Sequence, residues 1–136
     1  GWSKRRARRN YARLGVAAAV ITSLGLAIRE AQTWDDECLA YRRVAEWLAR
    51  HGDPVATVMV ADAPAYHYVS RGRVVAAVNA DLDTSVAVAR RFAVRYLILE
   101  PAHPLPWHDF YLGRIDHPAL RPIATLGELR IYEIAG

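Results

Sequence analysis

Six side chains stand where chemistry could be done: Asp62, His67, Asp81, Glu100, His103 and Trp107. Carboxylates and imidazoles in such a set could hold a divalent cation or hydrogen-bond the hydroxyls of a sugar. The run from His103 to Tyr111 adds aromatic faces, Trp107 among them, on which a sugar could stack. Each of these residues also has a structural reading. Asp62 precedes Ala63-Pro64, and Asp81 precedes a segment of helical period, so both stand where a helix start favours an acid. Glu100 leads into a proline-rich loop, and aromatics in such a loop commonly pack over a sheet edge. His117 stands apart and is expected at the surface.

No phosphate-binding glycine loop, dinucleotide fingerprint, HExxH, GxSxG or paired-cysteine pattern occurs. The single cysteine, Cys38, excludes an intrachain disulfide and any cysteine-rich metal site. No Ser-His-Asp or Cys-His arrangement follows from spacing. The sequence therefore assigns no catalytic residue, no metal ligand and no cofactor, and leaves the six residues as candidate ligand contacts.

The elements that must position them read as a small α/β domain. Tyr41, Val44, Ala45 and Leu48 follow the i, i+3, i+4, i+7 pattern of an amphipathic helix, which Gly52 and Asp53-Pro54 end. Residues 56–61 (ATVMVA) form a continuous apolar run, as a strand buried on both faces requires. A short helix with Pro64 in its first turn comes next, then a strand at 73–78, a helix reaching about Phe92, and a strand at 94–99. This alternation predicts parallel strands joined by right-handed crossovers. Residues 120–126 and 128–134 then read as an antiparallel hairpin turning at Gly127. Asp62, Asp81 and Glu100 all follow predicted strands, where open α/β sheets favour ligands.

The N-terminal part reads differently. Lys4, Arg5, Arg6, Arg8, Arg9 and Arg13 are six of the eighteen basic residues, so twelve basic residues face fourteen acidic ones in the remainder. The body of the chain is not basic, and no nucleic-acid footprint is expected there. Residues 14–28 carry no charge. Flanked by the basic cluster, they predict a transmembrane helix, with the N-terminus cytoplasmic by the positive-inside rule and the rest outside. A signal peptide fits less well, because Arg29 and Glu30 occupy the place of a small-residue cleavage site. A short buried helix is the remaining alternative. The predicted fold is thus α/β: an N-terminal transmembrane helix within residues 1–32, then at 33–136 a three-layer Rossmann-like domain with a β-α-β-α-β core and a C-terminal hairpin.

A resemblance sharpens this expectation. Trp34, Tyr41, Val44, Ala45, Trp47 and Leu48 are followed by VMVADAPAYHYVSRGRVVAAV (58–78), FAVRYLILE (92–100) and LGELRIYEI (126–134). The succession resembles the C-terminal end of multi-pass bacterial glycosyltransferases of the dolichyl-phosphate-mannose–protein mannosyltransferase type. The resemblance implies a last membrane helix followed by an extracytoplasmic α/β domain, in a parent enzyme that uses a polyprenyl-phosphate-linked sugar. The partners it implies are the bilayer of a bacterial cytoplasmic membrane, the remaining transmembrane part of a longer chain and a sugar or lipid-linked substrate. Family members carry the catalytic acid in their first outer loop, which nothing here matches, so no catalytic residue is carried over. The Gly1 start fits a truncated parent. Two other readings stand beside this one: a single-pass anchored binding domain, and an independent enzyme holding a metal between Asp62, Asp81 and Glu100.

Overall fold

A computed structural model describes residues 2–136, with side chains from Gly15 onward. It divides the chain into two compact units, 1–36 and 37–136. Helix α1 (Trp2–His51) runs through the first unit and supplies the first helix of the second. Within the first unit, Thr22, Ser23 and Thr33 donate their hydroxyls to the carbonyls four residues back, each at 2.9 Å. That bond lets a hydroxyl satisfy itself on a helix without a tertiary partner.

The second unit is built on a five-stranded mixed sheet in the order β2-β1-β3-β5-β4. Its elements are β1 (Thr57–Val60), α2 (Ala63–Ser70), β2 (Val74–Ala76), α3 (Leu82–Arg91), β3 (Val94–Leu99), α4 (His108–Tyr111), β4 (Leu120–Leu126) and β5 (Leu129–Ile134). A single 3-10 turn (Leu105–Trp107) leads into α4. Strand β1 pairs in parallel with both β2 and β3, whereas β5 runs antiparallel to both β3 and β4.

The pleat sends alternate residues into two cores. Val58, Val60, Tyr96, Ile98 and Ile131 pack with Tyr41, Val44 and Leu48 of α1 and with Tyr66 of α2. Met59, Leu97, Leu99 and Tyr132 pack on the other face with Val86 and Ala89 of α3, Trp107 and Phe110. Double-sided burial is the reason β1 and β3 are nearly unbroken apolar runs. The hairpin of β4 and β5 turns on Gly127 and Glu128, and Gly127 has φ of +62°. A glycine in the first position suits such a two-residue loop, because it takes positive φ without steric cost.

Two expectations need correction. Among the described residues no helix is long and apolar enough to cross a membrane. The charge-free run of fifteen residues amounts to roughly 22 Å of helix against a hydrocarbon core of ~30 Å, and Arg29 and Glu30 follow it directly. The transmembrane helix loses its support, and with it the placement in a bacterial cytoplasmic membrane with the N-terminus inside and the domain outside. The basic cluster at 4–13, which motivated that topology, lies outside the residues with described side chains. The Rossmann-like description also fails. Antiparallel β5 occupies the position beside β3 where a doubly wound sheet would place a further parallel strand.

Candidate functional site

The carboxyl ends of β1 and β3 lie side by side, and the chain leaves them through Asp62 and Glu100 respectively. Over these ends stands the start of the amphipathic stretch of α1, carrying Glu37 and Tyr41. The Tyr41 hydroxyl donates to Glu100 Oε2 at 2.6 Å, both side chains being buried. The other carboxyl oxygen, Glu100 Oε1, is buried without a hydrogen-bond partner. Tyr66 meets the Tyr41 ring edge-on at a centroid distance of 5.7 Å and closes the floor.

Electrostatics here follow from burial. Desolvation pushes the Glu100 carboxyl above the ordinary carboxylate range; the Tyr41 hydrogen bond opposes this, and the charge of Glu37 adds to it. Glu37 is raised too, first by its own burial and then by the charge of Asp62. The Tyr41 phenol is driven far up by burial, and further by its bond to Glu100. Glu37 and the buried Glu100 thus lie close to each other and to Asp62, with no cation paired to either among the described residues, and holding a proton relieves the cost for Glu37 and Glu100.

The loop after β3 continues the site outward. His103 Nδ1 lies 2.9 Å from the Glu100 carbonyl oxygen, so it carries the proton and donates. His103 Nε2 lies 3.2 Å from His108 Nδ1. The His103 ring stacks between His108 and Tyr111, at centroid distances of 5.4 and 4.5 Å. Arg130 of β5 covers the Tyr111 ring at 5.0 Å and donates to the Tyr111 carbonyl.

The six sequence candidates separate into distinct surroundings. Asp62 caps α2, accepting from the Ala65 amide at 3.1 Å, while remaining close enough to influence Glu37 and Glu100. Asp81 caps α3, accepting from the Thr84 amide at 2.8 Å and the Thr84 hydroxyl at 3.0 Å; these bonds lower its carboxyl pKa. His67 latches the end of α2 through the Gly72 carbonyl at 2.8 Å. Trp107 is 1% exposed in the second core and donates its indole N–H to the Ala80 carbonyl at 2.9 Å. Only Asp62, Glu100 and His103 share one neighbourhood, and His103 joins it through the main chain of Glu100. His117, expected at the surface, is mostly buried and bridges Asp83 Oδ1 at 3.0 Å and the Ala119 amide at 3.2 Å.

Sequence reasoning did not single out Tyr41, Glu37, His108 or Tyr111 as partners of the candidates. One signal was present. Tyr41 sits on the apolar face of its helix, and a buried phenol needs something to bond. Among the described residues no group of three or more acids, imidazoles or thiols is placed to hold a metal ion.

No protein-family model matches this sequence. No curated protein matches it either. A solved structure with a similar course is the C-terminal globular domain of an oligosaccharyltransferase from Archaeoglobus fulgidus. It shares 10% identity at a TM-score of 0.49, over 70% of this chain and 96% of that one. A likeness at this level says nothing of activity.

Proposed function

We propose that residues 37–136 form an accessory, non-catalytic domain of a glycosyltransferase that draws on a polyprenyl-phosphate-linked sugar, lying on the acceptor side of the reaction. The resemblance of segments 34–48, 58–78, 92–100 and 126–134 to the tail of the protein mannosyltransferase type supports the family of chemistry. The observation that carries the non-catalytic part is how the strand-end acids are used. Asp62 and Asp81 each satisfy a backbone amide at a helix start, and Glu100 is bonded to Tyr41 inside the fold. Carboxylates committed in this way stabilise elements rather than wait for a substrate proton.

The competing reading, a metal held by Asp62, Asp81 and Glu100, makes the opposite forecast. Thermal melts of the whole chain in magnesium or manganese separate the two. The accessory reading expects a melting temperature that does not depend on the ion. A saturable rise that disappears in Asp62→Ala would overturn it.

A further inference from the structure

At the opposite end of the parallel strands the second unit contains a pocket of about 120 Å³ that none of the six candidates touches. It lies between the last turns of α1, the start of β1 and the end of α2, and its cause is legible in residue size. Ala45 and Ala49 are one helical turn apart on α1, and opposite them the chain places Ala56, Ser70 and Gly72. Small side chains on both sides leave a gap where larger ones would interlock. Leu48, Val58 and Tyr66 supply the apolar wall.

Three features give the pocket chemical character. Arg73 lines it, and this guanidinium is exposed. One of its donors reaches the Val55 carbonyl at 3.4 Å, and no acid pairs with it among the described residues. Asp53 also lines the pocket, but its carboxylate is already met by Arg95 at 3.1 Å and the Val55 amide at 3.0 Å. Tyr66 is 3% exposed, and burial alone raises its phenol, to about 12, with no hydrogen-bonding neighbour contributing. An apolar wall with one phenol and a guanidinium that no described acid pairs suits a ligand with a compact apolar body and an anionic end. The volume of about 120 Å³ is below the ~150 Å³ of a cavity that holds benzene, so the buried part of the body is at most a single small ring or branched chain.

We propose that this pocket binds a small carboxylate with an aromatic or branched aliphatic body. The carboxylate meets Arg73, and the body lies against Ala45, Ala49 and Tyr66. A planar guanidinium matches a carboxylate in bidentate fashion, which is why the carboxylate is named before other anions. The pocket shares the Tyr66 ring with the Glu100 corner but none of that corner's acids, and it stands whether or not the accessory reading does.

The test is a titration of the whole chain with sodium benzoate, followed by amide shifts in nuclear magnetic resonance. Expected is saturable binding with a dissociation constant on the order of 1 mM, carried by shifts at Ala45, Ala49, Ala56 and Tyr66. Arg73→Gln is a surface change and is expected to weaken binding about tenfold, with the fold retained. Ala45→Leu fills the space and is expected to abolish binding; Tyr66→Phe, which keeps the ring, tests the wall if the filled variant does not fold, and is expected to weaken binding severalfold. Failure to saturate, an unchanged affinity in Arg73→Gln, or equally tight binding of uncharged benzyl alcohol would each overturn the proposal.

Discussion

The hydroxyl of Tyr41 and the carboxylate of Glu100, fifty-nine positions apart in the chain, meet at 2.6 Å in the interior of the second unit. The bond ties the amphipathic part of α1 to the end of β3, the strand at the centre of the sheet. It is also incomplete, because Glu100 Oε1 has no partner. A buried acid satisfied on one side only is costly when charged and tolerable when neutral.

Removing either partner is therefore expected to have unequal effects. Tyr41→Phe leaves the carboxyl without its one side-chain donor and is expected to cost about 1–3 kcal/mol, the penalty of an unsatisfied buried polar group. Glu100→Gln keeps an oxygen for the tyrosine and discards the buried charge, so at neutral pH it is expected to be neutral or stabilising. Urea unfolding of the two variants beside the wild type measures the difference, and a larger loss in Glu100→Gln than in Tyr41→Phe would contradict this account of the pair.

The same corner sets a pH dependence. Glu100 and Glu37 hold their protons more tightly in the folded chain, burial being the main cause for both. Their contribution to stability is complete below the ordinary carboxylate value of 4.5 and is lost as pH rises through the raised folded values. Glu133 behaves oppositely. Bonding by Arg121 and then Arg95 lowers its pKa, so its contribution is present above 4.5 and fades as pH falls. Comparing wild type with Glu100→Gln isolates the buried acid. The variant is expected to gain on the wild type in thermal melts over the window from 4.5 up through the raised folded value of Glu100. Parallel curves for the two proteins would show that Glu100 does not titrate in that window.

The two capping acids give a third expectation. Asp62→Ala is expected to lose about 1 kcal/mol of stability, the ordinary value of a helix cap, and Asp81→Ala to be destabilised in the same direction. Asp62→Asn retains an accepting oxygen for the Ala65 amide and removes a charge facing Glu37 and Glu100, so it is expected to recover that loss. Chemical denaturation of the three variants decides it; an Asp62→Asn as unstable as Asp62→Ala would mean that the charge itself is needed.

How much of this was legible follows from the range of each interaction. Strands buried on both faces announce themselves, and β1 and β3 fall at 57–60 and 94–99 within the apolar runs. The capping positions of Asp62 and Asp81 were legible because their bonds reach three residues along the chain. Strand β2 is only Val74–Ala76, shorter than the run at 73–78, because Ala77 and Val78 stay apolar past the last residue paired with β1. The Tyr41–Glu100 bond was beyond reach, since nothing in local spacing says which helix residue will cross to the end of a given strand. The run at 14–28 misled for a different reason. Apolar content marks a segment that avoids charge, and length and the residues beyond its ends decide whether it spans a bilayer. The Rossmann-like expectation fails where pairing is non-local: spacing predicts a hairpin that closes the domain, but not that β5 pairs with β3.

On the proposed reading the strand-end acids cap helices or bond within the fold, and perform no transfer. Its most direct test is to incubate the whole chain with a radiolabelled polyprenyl-phosphate-linked mannose and a hydroxyl acceptor peptide, and to count transferred label. The account predicts no transfer above a protein-free control. Transfer that the wild type performs and that Glu100→Gln or Asp62→Asn abolishes, with melting temperature retained, would contradict it.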